Sequence, residues 1–149
     1  FEHSILQKQL KTAICLDESI RNLSDTKVAL ALESCKNINI KPGRTGGYTE
    51  AIKIHDYCAS MGIPVWHGGM DESGIARGGN VALASLPNFS LHGDISASKR
   101  YYKQDIVIPE FSINKEDSTM SVPDKPGIGV DIDFKELEKV TVKKASFSP

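Results

Sequence analysis

Short apolar runs alternate with stretches of helical periodicity as far as Asp105, and each run ends in a polar or charged tip. Ala13 to Leu16 reads as a buried β-prone run that delivers Asp17 and Glu18. Asn37 to Ile40 repeats the pattern and ends at Lys41, Ile63 to Trp66 leads into His67-Gly68, and Phe89 to Leu91 opens into HGDISAS. The tips at 17, 41, 68 and 94 are separated by 24, 27 and 26 residues. That interval holds one strand and one helix, the repeat of a parallel β/α sheet.

The helical stretches fit between the tips. Ile5 to Leu10 reads as the end of an amphipathic helix, with Ile5, Leu6 and Leu10 on one face. Ser24 is the expected N-cap of a helix carrying Val28, Leu30, Ala31, Leu32 and Cys35. Pro42-Gly43 and Gly46-Gly47 predict a flexible loop. Tyr48 to Met61 follows as a helix with Ala51, Ile54, His55 and Cys58 on its inner side and Gly62 as its stop. HGGMDESGIARGGN reads as a loop, and Val81 to Leu86 as the core of the next helix.

Four such units make half of an eight-fold (β/α) TIM barrel, whose active site gathers at the C-terminal strand ends. An open doubly wound sheet shares the local period, but it more often carries one glycine-rich phosphate turn than a reactive group after every strand. The expected fold class is α/β, with residues 1–105 the half-barrel and 106–149 a β-rich tail. In that tail IVIPEFSI and STMSVPD, separated by NKED, predict a hairpin. PGIGVDID predicts a turn or strand, Phe134 to Val140 a short helix, and TVKKASFSP a frayed end.

Composition narrows the classes of function. Net charge is −1 over 149 residues with both signs interspersed, which argues against nucleic acid or an anionic membrane surface as partner. No apolar run approaches the roughly 18 residues of a membrane helix. Cys15, Cys35 and Cys58 are odd in number and form no CxxC, so they are expected as buried free thiols in a reducing, cytoplasmic compartment. The opening FEHSILQKQL has neither an initiator methionine nor a signal peptide, and suggests a piece of a longer protein.

The strand tips hold the candidate chemistry. Asp17 is a hard oxygen donor suited to a cation such as Mg²⁺, or else a solvated strand end or a helix N-cap. Glu18, adjacent on an extended strand, is expected to point to the other side. A lysine at an apolar strand end inside a barrel mouth is expected to have its pKa lowered toward the range of proton transfer; otherwise Lys41 snorkels over Ile40. GRTGG and GGMDESGIARGG resemble anion-cradling loops but match no nucleotide fingerprint. His67 and His92 lack the third residue of a zinc site and read as structural or supporting, and Trp66 and Tyr101-Tyr102 read as core or interface.

Four ordered motifs, ICLDES, INIKPGRTGGYTEA, GIPVWHGGMDESGIARGGN and LPNF-LHGDISASKRYY, resemble the second half of an o-succinylbenzoate synthase. They are equally similar to the N-acylamino acid (N-succinylamino acid) racemases of the same branch of the enolase superfamily. The likeness runs from Ile5 to about Asp133. It implies the C-terminal half of a (β/α) barrel plus the C-terminal segment of an α+β capping domain. It also implies a Mg²⁺ (or Mn²⁺) enzyme acting on a small-molecule carboxylate, cytoplasmic, homo-oligomeric, and dependent on an N-terminal half of the barrel that this chain lacks. Asp17 falls on the third metal-ligand position, Glu18 on its acidic neighbour, and Lys41 on one of two lysines flanking the substrate. Gly69, Met70, Glu72 and Ser73 fall on the loop that approaches the substrate, and Asp94 on a loop at the far side of the pocket.

The resemblance implies either a dehydration belonging to menaquinone biosynthesis or a racemisation, both through an enediolate formed by removing a proton beside a carboxylate. ARGGN departs from the GRAHN that family members often carry, a change bearing on substrate fit. One carboxylate and half a barrel predict that this chain alone is inactive. On the residues alone, a non-catalytic half-barrel scaffold and a phosphate-ligand barrel using the GRTGG and GGMDES loops stay open.

Overall fold

The computed structural model describes residues 1–147; the last two residues of the expected frayed end lie outside them. The chain forms two compact units, one made of Phe1–Met70 with Gly79–Ile95, the other of Asp71–Gly78 with the chain from Ser96 onward.

In the first unit, α1 (Glu2–Gln9), β1 (Cys15–Leu16), α2 (Leu23–Ala31), β2 (Asn37–Ile40), α3 (Pro42–Thr45), α4 (Tyr48–Ser60) and β3 (Val65–His67) follow in order. The strands form a parallel sheet in the order β1-β2-β3, with Leu16 opposite Ile38, and Asn39 and Ile40 opposite Trp66 and His67. Parallel neighbours need a crossover, and α2 and α4 supply it. Strand alternation sends Ile38, Ile40 and Val65 into the core beneath α4, where Ala51, Ile54 and Cys58 meet them, all fully buried. Burying each of Ile38, Ile40, Ile54 and Val65 contributes about 1.5–3 kcal/mol. The inner side of α4 is the one its periodicity predicts, with His55 included, and Gly62 stops the helix in the left-handed region at φ +66°.

Several expectations are corrected here. Asn22, not Ser24, caps α2; its side chain accepts from the Asp25 N–H at 2.9 Å. In α1 the apolar side chains face outward: Ile5 and Leu6 are about half exposed, while Ser4 and Gln7 are buried. Gln7 decides this, because its amide donates to Leu10 O (3.3 Å) and Thr12 O (3.1 Å) and accepts from Ile14 N (2.7 Å). Those bonds dock the helix by its polar side. The expected loop after Lys41 is the short helix α3, ended by Gly46 at φ +87°. Phe89 to Leu91 forms no regular strand. It runs beside β3 through spaced bonds from Val65 N to Asn88 O, Leu91 N to Val65 O and Asp94 N to His67 O, at 2.9 to 3.4 Å. Cys35 and Cys58 are buried thiols, whereas Cys15 is exposed.

Helix α5 (Gly74–Ala84) begins within the stretch predicted as a loop, and its first residues belong to the second unit. There a buried ionic cluster stands at the start of the helix. Asp105 Oδ1 accepts from Gly74 N at 2.9 Å, and its Oδ2 takes Arg77 Nη1 at 3.3 Å. Both side chains are 1 % exposed. Of the tail, β4 (Val107–Ile108) pairs antiparallel with β5 (Asp131–Ile132), and α6 (Phe134–Val140) occupies the residues that its pattern predicts. IVIPEFSI therefore pairs with the PGIGVDID strand rather than with STMSVPD. Only the turn closed by Asn114 and Thr119 survives of the expected hairpin. Asp133 caps α6 by accepting from Lys135 N and Glu136 N.

Candidate active site

Asp17 lies just past β1, where the chain turns and Ile20 N returns to Asp17 O at 2.9 Å. Lys41 lies just past β2 and opens α3. Parallel register sets the two side by side, and Lys41 Nζ stands 3.0 Å from Asp17 Oδ2 and 3.0 Å from Glu18 Oε1. Glu18 was expected to point away as the next residue of a strand. Because the strand ends at Leu16, the turn brings both carboxylates to the same ammonium.

Two further residues complete the cluster, and the sequence reading passed over both. Asn39 donates its amide to Asp17 Oδ2 at 2.9 Å. Arg44, half-buried, bonds Asp17 Oδ1 and Asn39 O closely and donates to Ile20 O at 2.8 Å. Strand period two places Asn39 on the same face as Lys41, which is the signal that could have found it. Arg44 was hidden in a stretch read as loop, and the turn of α3 is what returns it over Asp17. The backbone N–H groups of Arg44, Thr45, Gly46 and Gly47 are spent on Lys41 O and Pro42 O within α3, so they do not form an open anion cradle.

The electrostatics reverse one expectation. Burial pulls the Lys41 ammonium down, but the hydrogen bonds and charges of Asp17 and Glu18 outweigh it, so its pKa is raised. The hydrogen bond from Lys41 holds Glu18 below the usual carboxylate range. Lys41 is thus held as a cation.

The wall beside Lys41 is glycine for steric reasons. A Cβ at Gly68 would stand 2.7 Å from Lys41 Cε and run into the Asn39 amide. Gly69 packs against the Asp94 carbonyl in the same way, and Met70 Sδ would lie 3.2 Å from a Cβ at Gly43, which sets Met70 beside α3. Glu72 and Ser73 fall in the second unit, where Arg77 Nη2 donates to Glu72 O at 2.8 Å and Arg77 N to Ser73 O at 3.0 Å. Asp94 and His92 are exposed. Trp66, half-buried, donates its indole N–H to Cys15 Sγ at 3.1 Å. His67 lies on the opposite, helix-facing side against Phe89, and burial drives its pKa to about 4, partly offset by Gly68 and Asn80.

As a Mg²⁺ donor, Asp17 fits the hard-oxygen preference of that ion. Among the described residues, however, no group of three or more His, Cys, Asp or Glu gathers to hold a metal. Asp17 by itself does not make a complete metal centre.

A parallel β/α sheet with a carboxylate and a lysine at consecutive strand ends is the build of the C-terminal portion of an enolase-type barrel. The chain belongs to the enolase C-terminal domain-like family, whose model matches residues 2–137. It is 52% identical over 147 residues to the o-succinylbenzoate synthase of Bacillus subtilis (strain 168), covering 99% of this chain and 39% of that protein. It is 50% identical over 142 residues to the N-succinylamino acid racemase of Amycolatopsis sp, covering 95% and 38%. A solved enolase-superfamily member from Listeria innocua Clip11262 superposes with a TM-score of 0.88 at 49% identity, over 93% of this chain and 37% of that one. The chain thus spans about two fifths of the length of the curated relatives it matches. Among the described residues, no helix is long and apolar enough to cross a membrane.

Proposed function

We propose that this chain is the C-terminal part of a Mg²⁺-dependent o-succinylbenzoate synthase or N-succinylamino acid racemase, and that it is inactive by itself. The observation that carries the reading is the pairing of Lys41 with Asp17 at the ends of adjacent parallel strands. The names of the relatives supply the two candidate reactions.

In this reading Asp17 would be one of the ligands of Mg²⁺, which would supply Lewis-acid stabilisation of charge beside the substrate carboxylate. The rest is the work of this chain's own side chains. Lys41, held as an ammonium, offers a positive charge and a proton to one face of the substrate. In racemisation it returns the proton on that face, after which it is the free base for the reverse direction. In dehydration its charge stabilises the developing anion while a base from the upstream half takes the proton. Gly68 lets the backbone run close to Lys41, and Met70, beside Gly43 of α3, is an apolar contact for substrate in this reading.

The test is exchange of the α-proton of an N-succinyl amino acid in D₂O with Mg²⁺, followed by NMR. It is run on this chain and on the full-length protein. Exchange by the full-length protein alone is the expected result for a racemase. Dehydration activity without exchange assigns a dedicated synthase. Exchange by this chain alone, or neither activity in the full-length protein, overturns the reading.

A further inference from the structure

We propose that Asn39 is a positioning residue that holds the Asp17 carboxylate in place when Lys41 turns to substrate, a role that rests on the function proposed above. Arg44 holds one oxygen of the carboxylate, Asp17 Oδ1, and the other, Oδ2, has two donors, Lys41 Nζ at 3.0 Å and Asn39 Nδ2 at 2.9 Å. They differ in freedom. Lys41 is a charge on a flexible four-carbon stem and has to leave the carboxylate to reach a substrate. Asn39 is a short side chain, 1 % exposed, in the middle of the central strand.

The surroundings of Asn39 leave it one orientation. Gly68 lies so close that even a Cβ there would be 2.6 Å from Asn39 Nδ2, and Arg44 occupies the Asn39 carbonyl. Asn39 Oδ1 is buried without a hydrogen-bond partner. A buried amide oxygen without a partner is costly, so something must fix the amide this way round. Flipping it would set that oxygen against the carboxylate oxygen of Asp17. The N–H donated to Asp17 therefore accounts for both the choice of Asn and its orientation. Aspartate, of the same shape, would place two carboxylates together. Partners that orient a ligating carboxylate typically matter 10–100-fold in metal affinity or activity.

The experiment uses the full-length protein with Asn39→Leu and Asn39→Asp, both close to the native shape and both lacking the N–H. Four quantities are read: the position of Asp17 in crystal structures of the variants, Mg²⁺ affinity by calorimetry, and kcat and KM for the reaction. Asp17 Oδ2 is expected to turn out of its place while Arg44 keeps Oδ1, and Mg²⁺ affinity or kcat to fall about 10–100-fold with KM nearly unchanged. A purely structural role would lower the melting temperature and leave Asp17, metal affinity and kcat where they were; that result overturns the proposal. Should Asn39→Leu not fold, Asn39→Asp carries the same comparison. If the wild-type protein shows neither Mg²⁺ binding nor either reaction, the functional reading fails. In that case Asp17 moving in the variants still supports the positional role, and its staying put overturns it.

Discussion

Lys41 Nζ bridges Asp17 Oδ2 and Glu18 Oε1 at 3.0 Å each, so one ammonium ties together two carboxylates that follow a neighbouring strand. The side chain of Lys41 is 16% exposed and that of Glu18 74%. The Asp17 contact is accordingly the stronger of the two, since solvent screens an exposed pair.

Removing the ammonium is the direct test of its part in the reaction. Lys41→Ala in the full-length protein is expected to lower α-proton exchange or dehydration by about 10²–10⁴-fold, the usual worth of a positioned acid or base. Full activity in that variant would sink the assignment.

The cluster has a pH window with a definite sign. Glu18 has a lowered pKa, so its contribution is present above its unfolded value near 4.5 and fades as pH falls through the lower folded one. Lys41 has a raised pKa, so its contribution is complete below 10.5 and is lost as pH rises beyond it. Lys41→Met should therefore abolish a pH dependence of stability that appears only at the two extremes, read from urea unfolding below pH 4.5 and above pH 10.5.

His67 acts between those limits. Its folded pKa of about 4 lies below the unfolded 6.5, so the unfolded chain binds the extra proton first. Stability is complete above 6.5 and falls as pH drops toward 4, by about 3 kcal/mol in all. His67→Leu is expected to flatten the unfolding free energy between pH 6.5 and 5, where most carboxylates stay ionised. An unchanged slope would show that His67 does not stay neutral and buried.

Gly68→Ala tests the crowding beside the pair. The new Cβ meets the Asn39 amide and Lys41 Cε at 2.6 to 2.7 Å or less, and overpacking of this kind costs about 1–3 kcal/mol. Thermal unfolding should show that loss, and activity should fall further than stability because Lys41 is the atom displaced.

Thiol titration separates the three cysteines. Burial pushes Cys35 up to about 11 and Cys58 up to about 12, and it raises exposed Cys15 as well. One thiol is expected to react slowly with a maleimide in the native chain at pH 7, and all three on unfolding. Fast labelling of Cys35 or Cys58 in the native state would contradict the packing under α4.

The sequence by itself determined the repeat of strand and helix, the inner side of α4, the extent of β2 and α6, and the chemistry-bearing tips Asp17 and Lys41. Each of these depends on neighbours a few residues apart, through periodicity of side-chain direction and the stop at Gly62. Tertiary structure decided the rest. The three bonds of Gln7 turned α1 polar side inward, the early end of β1 swung Glu18 onto Lys41, and the turn of α3 carried Arg44 back over Asp17. Most telling is the charge on Lys41. Burial at a strand end, visible in the sequence, lowers its pKa, but two carboxylates 23 and 24 residues away raise it further than burial lowers it. Those partners meet only because parallel pairing aligns β1 with β2, and no local pattern records that distance.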